Sequence, residues 1–257
     1  MERSVSIIIP AYNSREYIGK AIESATSQSF KNIEIFVVDD GSTDGTKDAV
    51  ESYIRDSKIR YIHQENKGPA AARNLGISKS SGEFIAFLDA DDIWLPDKLE
   101  QQMPLFDDPE VALVFSDTEI FGDGFPFKKH SEFSRFARGD VYAKLIMGNF
   151  IPTSSVVVRR VAMDEAGGFD EDKKISIGED YFLWLMIARK YKFDFSPESL
   201  VKYRIHGGQT SASRIKSYKS LCHIYAKLGK RNGYTFGIVS KYLENKMKFL
   251  FASMFRE

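Results

Sequence analysis

The chain has 257 residues, 43% of them hydrophobic, and its 36 basic residues are balanced by 36 acidic ones. The zero formal net charge argues against nucleic acid as a partner, because nucleic-acid-binding domains carry a surplus of positive charge. The single cysteine, Cys222, excludes an intramolecular disulfide framework and fits a reducing compartment. No apolar stretch reaches the roughly 20 residues that span a bilayer, and the first residues do not resemble a signal peptide. We therefore expect a cytoplasmic protein, either soluble or peripheral at the inner face of the membrane.

The first half of the chain alternates between strand-like and helix-like segments. Apolar runs predict strands at 5–9, 33–38, 58–63, 83–88 and 111–116. Helical spacing and turn signals predict intervening helices at 15–28, 45–55, 68–80 and 96–106. Because these strands are apolar on both faces, we expect an α/β fold with a Rossmann-like, mostly parallel central sheet flanked by helices.

The second half is less regular. Its pattern predicts a loop or hairpin at 117–136, a strand at 154–160, a helix at 178–191 and a strand at 200–206. Residues 212–257 read as a C-terminal helical extension with ten basic residues and two acidic ones. We weigh two roles for this extension. It docks on anionic lipid as a peripheral membrane contact, or it packs on the preceding domain or dimerises with its charges in solvent.

Acidic residues crowd the end of the fourth predicted strand, in "FLDADD" (87–92). Ligands of such sheets bind beyond the carboxyl ends of the strands. The alternating Asp89 and Asp91 favour a divalent cation such as Mn²⁺ or Mg²⁺, which takes carboxylate and phosphate oxygens together. Aspartate also suits turns and helix caps, and we predict that Asp92 caps the turn into the next helix.

A second acidic pair follows the second strand, in "VVDDGSTDGT" (37–46). The glycines indicate a strand-to-helix turn, whereas Asp39 and Asp40 are placed to accept the imide N–H of a uracil ring. Arg73 lies on the helix that leads away from the same edge of the sheet. We predict that it pairs with Asp39 or Asp40 or contacts a nucleotide, the simpler alternative being a solvated arginine.

Two further motifs lie in the second half. Glu179 and Asp180 open the helix at 178–191, where acids either interact with the helix dipole or act in catalysis. His206 lies between a strand end and two glycines, where it is either structural or completes a metal site.

Together these segments resemble the family 2 glycosyltransferases, enzymes of the GT-A fold. The resemblance rests on "IIIPAYN" (7–13), "VVDDGSTDGT" (37–46), "GPAAARNLGI" (68–77), "FLDADD" (87–92), "GGFDE" (167–171), "GED" (178–180) and "YRIH" (203–206). It implies a GT-A glycosyltransferase domain at 1–211, with a nucleotide-sugar half (1–116) and an acceptor half (117–211). The extension at 212–257 has no counterpart in these motifs.

The resemblance also implies roles for individual residues. A nucleotide-sugar donor would bind between Pro10, Ala11, Tyr12, Asn13 and Asp40, with Asp39 and Arg73 beside the base. Asp89 would lie near the ribose, and Asp91, with His206, would hold Mn²⁺ or Mg²⁺ on the diphosphate. Asp180, beside Glu179, would be the general base.

The implied reaction is an inverting, metal-dependent transfer of one sugar, most often from a UDP-sugar, to a hydroxyl of a glycan or lipid-linked glycan in polysaccharide synthesis. The absence of a Q-x-x-R-W motif favours transfer of single residues over polymer synthesis. Three alternatives stay open at this point: a catalytically degenerate sugar-nucleotide-binding scaffold, a phosphoacceptor signalling domain with its acidic pocket in "VVDDG", and a phosphatase with a nucleophilic aspartate in "DAD".

Overall fold

A computed structural model of the chain describes residues 3–54, 59–122, 128–207 and 213–255. Several predicted features fall outside these ranges, namely the end of the helix at 55, the start of the strand at 58, the middle of the segment 117–136, the boundary at 211–212 and the last two residues of the extension. Within the described ranges, no helix has both the length and the apolarity needed to cross a membrane.

One mixed sheet organises the molecule. Its strands are β1 (Val5–Ala11), β2 (Ile33–Asp39), β3 (Ile59–His63), β4 (Phe84–Phe87), β5 (Ile93–Trp94), β6 (Val111–Gly122), β7 (Val157–Arg159) and β8 (Lys192–Ile205). Across the sheet they follow the order β3-β2-β1-β4-β7-β6-β8-β5. The pairs β1–β2, β1–β4, β2–β3 and β6–β8 are parallel, whereas β7 and β5 run antiparallel to their neighbours. The prediction of a mostly parallel sheet is therefore confirmed.

Helices cover both faces of the sheet. They are α1 (Ile18–Thr26), α2 (Thr46–Glu51), α3 (Pro69–Lys79), α4 (Lys98–Gln102), α5 (Tyr142–Met147), α6 (Arg160–Ala166), α7 (Glu179–Ile187), α8 (Arg214–Asn232) and α9 (Phe236–Phe255). Alternate residues of β1 enter different cores: Ile7 and Ile9 join α1 on one side, while Ile8 joins α3 and α7 on the other. This alternation requires apolar residues at consecutive positions, which explains the unbroken "III" of the first strand.

The element boundaries differ from the predicted ones where backbone groups find other partners. The helix expected from residue 15 begins at Ile18, because the carbonyl of Ser14 accepts the N–H groups of Tyr17 and Ile18 in a preceding turn. The helix expected at 96–106 changes at Met103 into a 3₁₀ segment, whose Pro104 has no N–H for an α-helical bond. The sequence pattern did not predict β5, α5 and α6, which have two to seven residues and too few turns or alternations to show a period.

The helical extension packs on the rest of the domain through α8. Ile224 and Leu228 are fully buried, and the hydroxyl of Tyr225 donates to the carbonyl of Ile146 at 2.9 Å. The same hydroxyl lies 2.9 Å from that of Tyr181 on α7. The hydroxyl of Ser220 accepts a hydrogen bond from the backbone of Ser176 at 3.1 Å. The inner face of α8 is thus part of the hydrophobic core.

Replacing Tyr225 by phenylalanine tests this attachment. We expect Tyr225→Phe to lower the free energy of unfolding by about 1–2 kcal/mol, because the carbonyl of Ile146 and the hydroxyl of Tyr181 lose a buried partner. Urea denaturation followed by circular dichroism measures the change. Tyr234→Phe is the matched control, since the Tyr234 side chain is 61% exposed. Equal losses of unfolding free energy in the two variants would mean that the buried hydroxyl pair of Tyr225 and Tyr181 does not stabilise the attachment of α8.

Candidate active site

A cleft of about 850 Å³ opens where β1 and β4 end. It brings together all of the predicted site residues except Asp39, namely Pro10, Ala11, Tyr12, Asn13, Asp40, Arg73, Asp89, Asp91, Glu179, Asp180 and His206. Residues from both halves of the chain therefore face one space. Open α/β sheets bind their ligands in such a crevice, beyond the carboxyl ends of the strands.

The two adjacent acids after β2 have different environments. Asp39 is buried beneath the cleft, where it accepts hydrogen bonds from the hydroxyl of Tyr61 at 2.6 Å and the backbone of Ser42 at 2.8 Å. Burial alone would raise the pKa of Asp39, but these hydrogen bonds outweigh it and hold the pKa below its usual value. Asp39 is therefore a structural residue of the turn and does not line the cleft.

Asp40 holds the neighbouring loop to the cleft. Its Oδ1 accepts from the side chain of Gln64 at 2.6 Å and the backbone of Lys67 at 2.9 Å, and its Oδ2 accepts from the backbone of Gly68 at 2.8 Å. A carboxylate has about four acceptor positions, so one stays available for a ligand. Tyr12 is 53% exposed on the cleft wall, where its ring offers a stacking surface.

Asn13 fixes the turn that forms this wall. Its backbone adopts a left-handed conformation with φ of 48°, which asparagine tolerates better than most residues. The side-chain oxygen of Asn13 accepts from the backbone N–H of Thr43 at 2.9 Å, and the backbone N–H of Asn13 donates to the hydroxyl of Ser42. The end of β1 and the turn after β2 are thereby held together.

Arg73 joins the two halves of the cleft. Its guanidinium donates to Asp89 Oδ1 and to Glu179 Oε1, each at 2.7 Å, and the side chain is almost fully buried. Burial opposes the charged form, but the two carboxylates outweigh it and raise the pKa of Arg73. The predicted pairing with Asp39 or Asp40 is wrong, since the guanidinium donates to Asp89 and Glu179 instead. The predicted contact with a nucleotide stays a prediction.

Asp91 and His206 form a pair at the centre of the cleft. The Nε2 atom of His206 lies 3.0 Å from Oδ2 of Asp91, and each side chain is about one quarter exposed. Burial and the nearby charge of Asp89 raise the pKa of Asp91, and the contact with His206 opposes that rise. Among the described residues, no three acidic, histidine or cysteine side chains converge into a complete metal site. A carboxylate and an imidazole are nevertheless groups of the kinds that bind divalent cations.

Asp92 is not the helix cap that the sequence predicted. It is buried, and its carboxylate accepts from the Ser154 hydroxyl at 2.5 Å and from the backbone of Arg204 at 2.9 Å. The short strand β5 follows it, and the N-cap position of α4 belongs to Asp97. Burial and the charges of the two neighbouring aspartates raise the pKa of Asp92 well above its usual value. Asp92 therefore ties β8 to the floor of the cleft.

Asp180 is a cleft carboxylate with a raised pKa. It is half-buried at the start of α7, where its Oδ2 accepts from the Thr153 hydroxyl at 2.6 Å and its Oδ1 from the backbone of Tyr181 at 2.7 Å. Burial, followed by the charge of Glu179, raises the pKa of Asp180 to about 6. Glu179 accepts a hydrogen bond from Arg73, so the two acids of this motif have different environments.

The cleft also contains residues that the sequence reasoning missed. They come from short or irregular segments between the motifs and include Ile120, His130, Phe133, Asn149, Ile151, Thr153 and Tyr203. The rings of His130 and Phe133 lie 4.6 Å apart, and Phe133 is 47% exposed. Of these, only Tyr203, within "YRIH", belonged to one of the quoted motifs. Ile120, His130 and Phe133 lie in the predicted loop or hairpin at 117–136, where the sequence pattern did not single out individual residues.

Comparison with known proteins identifies relatives of this arrangement. The profile of the family described as "Glycosyl transferase family 2" matches residues 6–165. The glucosyltransferase WfaP of Escherichia coli, named for UDP-Glc and α-D-GlcNAc-diphosphoundecaprenol, is 36% identical over 88% of this chain and 86% of its own length. The putative teichuronic acid biosynthesis glycosyltransferase TuaG of Bacillus subtilis is 31% identical over 87% and 88%.

Other relatives are longer. An uncharacterized glycosyltransferase of Rickettsia felis is 37% identical over 80% of this chain, and the match spans 34% of the relative. The chain thus covers about a third of the length of some of its curated relatives.

Solved structures share the fold. S. aureus TarS 1–349, in complex with UDP-GlcNAc, matches with a TM-score of 0.73 and 21% identity over 96% of this chain and 73% of its own. Mannosyltransferase PcManGT of Pyrobaculum calidifontis, in complex with GDP-Man and Mn²⁺, matches with a TM-score of 0.70 and 22% identity over 96% and 70%. These matches confirm the predicted GT-A fold.

Proposed function

The chain belongs to glycosyl transferase family 2, and we propose that it moves one sugar from a UDP-sugar to a hydroxyl of a glycan or lipid-linked glycan in polysaccharide synthesis. The observation that carries this proposal is one cleft that residues from both halves of the chain line. It contains the exposed ring of Tyr12, the Asp91–His206 pair and the half-buried carboxylate of Asp180. The lipid-linked acceptor is suggested by the name of WfaP and the UDP donor by WfaP and the TarS complexes.

The donor nucleotide fits the end of the cleft formed by the first motifs. Tyr12 offers an exposed ring for stacking on the base, and Asp40 keeps an acceptor position for an imide N–H. Pro10 and Ala11 line the same cleft. We assign Asp89 to the neighbourhood of the ribose, where Arg73 fixes its orientation.

The next part of the cleft fits a divalent cation. Asp91 and His206 offer an oxygen and a nitrogen ligand. Burial, followed by the charges of neighbouring aspartates, raises the pKa values of Asp91 and Asp92, so a cation beside them would stabilise their ionised forms. A mixed oxygen and nitrogen set suits Mn²⁺ better than Mg²⁺, with phosphate and water oxygens completing the shell. When bound, the ion supplies charge stabilisation to the departing diphosphate.

The acceptor hydroxyl is then activated by Asp180. A hydroxyl is a poor nucleophile, and a carboxylate within hydrogen-bond reach takes its proton as the new bond to the anomeric carbon forms. The raised pKa of about 6 makes Asp180 a better base than an ordinary aspartate, yet it is still ionised at neutral pH. Thr153 orients this carboxylate through the 2.6 Å hydrogen bond. Attack from the face opposite the diphosphate inverts the anomeric centre.

The other hypotheses from the sequence fit less well. Family membership excludes the phosphoacceptor signalling domain. A phosphatase would need Asp89 as a free nucleophile, whereas this carboxylate is ion-paired with Arg73 at 2.7 Å. A degenerate scaffold is the remaining alternative, and only a turnover assay separates it from an enzyme.

Metal removal tests the proposal directly. We expect the full chain to release UDP from a UDP-sugar in the presence of a polyprenyl-diphosphate-linked sugar, and activity to fall about 100-fold or more on chelation because several kcal/mol of charge stabilisation are lost. Added Mn²⁺ should restore activity in the wild type and fail to do so in Asp91→Asn. Asp164→Asn, an exposed acid on α6, is the matched control. Donor binding without turnover over a panel of acceptors would instead support the scaffold.

A further inference from the structure

The outer face of α9 carries an apolar stripe. At about 100° per residue, its large exposed side chains fall within an arc of about 120°: Phe236, Val239, Leu243, Met247, Leu250 and Phe251. Their exposed fractions run from 39% to 91%. The opposite face of the helix is buried through Ile238, Asn245 and Ala252. The stripe is therefore a second hydrophobic face, separate from the one that packs on the domain.

The two helices of the α8–α9 hairpin carry a surplus of positive charge. Together α8 and α9 contain nine Lys and Arg residues and one acid, Glu244, although the whole chain is electrically balanced. Lys246 is exposed beside the stripe, and Lys230 and Arg231 are exposed at the end of α8. A groove of about 290 Å³ between the two helices combines both properties. It is lined by Arg214 and Lys248 together with Tyr218, Met247, Phe251 and Ala252.

We propose that this face of the α8–α9 hairpin docks on the surface of an anionic lipid bilayer. Apolar side chains on one face enter the boundary between headgroups and acyl chains, and each flanking Lys or Arg adds attraction to negative lipids. A second copy of the chain fits less well, because self-association through this face brings two basic surfaces together. Charge complementarity thus selects the bilayer over a dimer.

The hairpin that carries this face is hydrogen-bonded to residues that line the cleft. Ser220 on α8 accepts hydrogen bonds from the backbone N–H groups of Ser176 at 3.1 Å and Ile177 at 3.3 Å, and both of those residues line the cleft. Docking therefore holds the acceptor side of the cleft at a fixed position relative to the lipid surface. This docking rests on the proposed function only for the lipid-linked acceptor, which it places at this side of the cleft. Vesicle binding itself is measured without any sugar transfer.

Vesicle co-sedimentation of the full chain tests the inference. We expect binding to vesicles of phosphatidylglycerol and phosphatidylcholine, and at least about tenfold weaker binding to phosphatidylcholine alone. Met247→Glu with Leu250→Glu should weaken binding about tenfold or more, since two inserted apolar side chains are lost and two repelled charges are gained. The matched control is Ile54→Glu with Val161→Glu, which changes exposed apolar residues away from α9 and should bind like the wild type.

A second variant examines the charges. Lys230→Glu with Lys246→Glu should also weaken binding about tenfold, and 0.5 M salt should weaken wild-type binding in the same direction. The circular dichroism spectrum and the affinity for UDP should stay unchanged in all variants. A loss of vesicle binding can then be distinguished from a failure of the proposed sugar transfer. Equal binding by the Met247/Leu250 variant and the wild type would overturn the proposal. The proposal would also be overturned if the wild-type chain did not bind vesicles but formed a dimer, and the Met247/Leu250 variant were monomeric.

Discussion

Asp180→Asn is expected to abolish nearly all sugar transfer while leaving the fold intact. The amide cannot accept the proton of the acceptor hydroxyl, and loss of a general base costs about 10²–10⁴-fold in kcat. Asparagine keeps one acceptor oxygen for the backbone N–H of Tyr181, and its NH₂ group can donate to the hydroxyl oxygen of Thr153 instead. Because the folded state raises the pKa of Asp180, its ionisation opposes folding above that pKa, and the neutral amide should not lower stability at pH 7.5.

The measurement is kcat together with the affinity for UDP and the urea midpoint. Asp164→Asn, an exposed acid on α6, serves as the control and should retain full activity. Normal kcat in a correctly folded Asp180→Asn variant would remove the base assignment.

The same residue sets the expected pH dependence. Asp180 must be ionised to act, so kcat should fall as the pH drops through about 6, by about tenfold per unit below that value. A divalent cation in the cleft favours the ionised form and would move the midpoint lower. A profile that stays flat down to pH 4.5 would contradict the assignment.

Arg73→Met is expected to have the largest effect on stability. It removes the only cation seen to pair with both Asp89 and Glu179 among the described residues, and breaking a buried ion pair from one side costs about 3–5 kcal/mol. The charge of Arg73 also lowers the pKa of Asp180, so any residual activity should need a higher pH. Urea denaturation and the pH profile of kcat measure the two effects.

Two variants make this result specific. Arg73→Lys keeps the charge but cannot reach both carboxylates with a planar fork, and it should recover part of the stability. Lys192→Met removes a surface pair with Glu110 of similar length, 2.6 Å, and should cost at most about 1 kcal/mol. Similar losses for Arg73→Met and Lys192→Met would show that the buried bridge contributes no more than a surface contact.

The sheet was predictable because consecutive apolar residues in short runs can be buried only between two helical layers. The edge at which the site forms followed from the parallel direction of β1, β2 and β4. The division between Asp39 and Asp40 was also within reach, since adjacent residues at a strand end point to opposite faces. We predicted Asp40 in the base pocket and Asp39 beside the base, whereas Asp39 turns to Tyr61 beneath the cleft and Asp40 to the cleft.

Other features had no signal in the sequence. The partner of Arg73 is Glu179, 106 positions away, and neither residue differs in its local pattern from a solvated side chain. Thr153 lies in a three-residue 3₁₀ turn, and α5 has six residues, which are too short for any period. Asp92 is of a residue type that is common at helix caps. Its hydrogen bonds to Ser154 and Arg204, which are distant in sequence, could not be predicted.

The bridges that close the cleft have a consequence for synthesis on the ribosome. Arg73 to Glu179, Asp92 to Arg204 and Asp91 to His206 join residues separated by 106, 112 and 115 positions. A nascent chain can therefore build the first parallel strands early, yet it has no complete site until His206 has left the exit tunnel. The first half of the chain alone pairs Asp89 with Arg73, but it carries Asp91 and Asp92 without the His206 ring and the Arg204 backbone N–H that contact them.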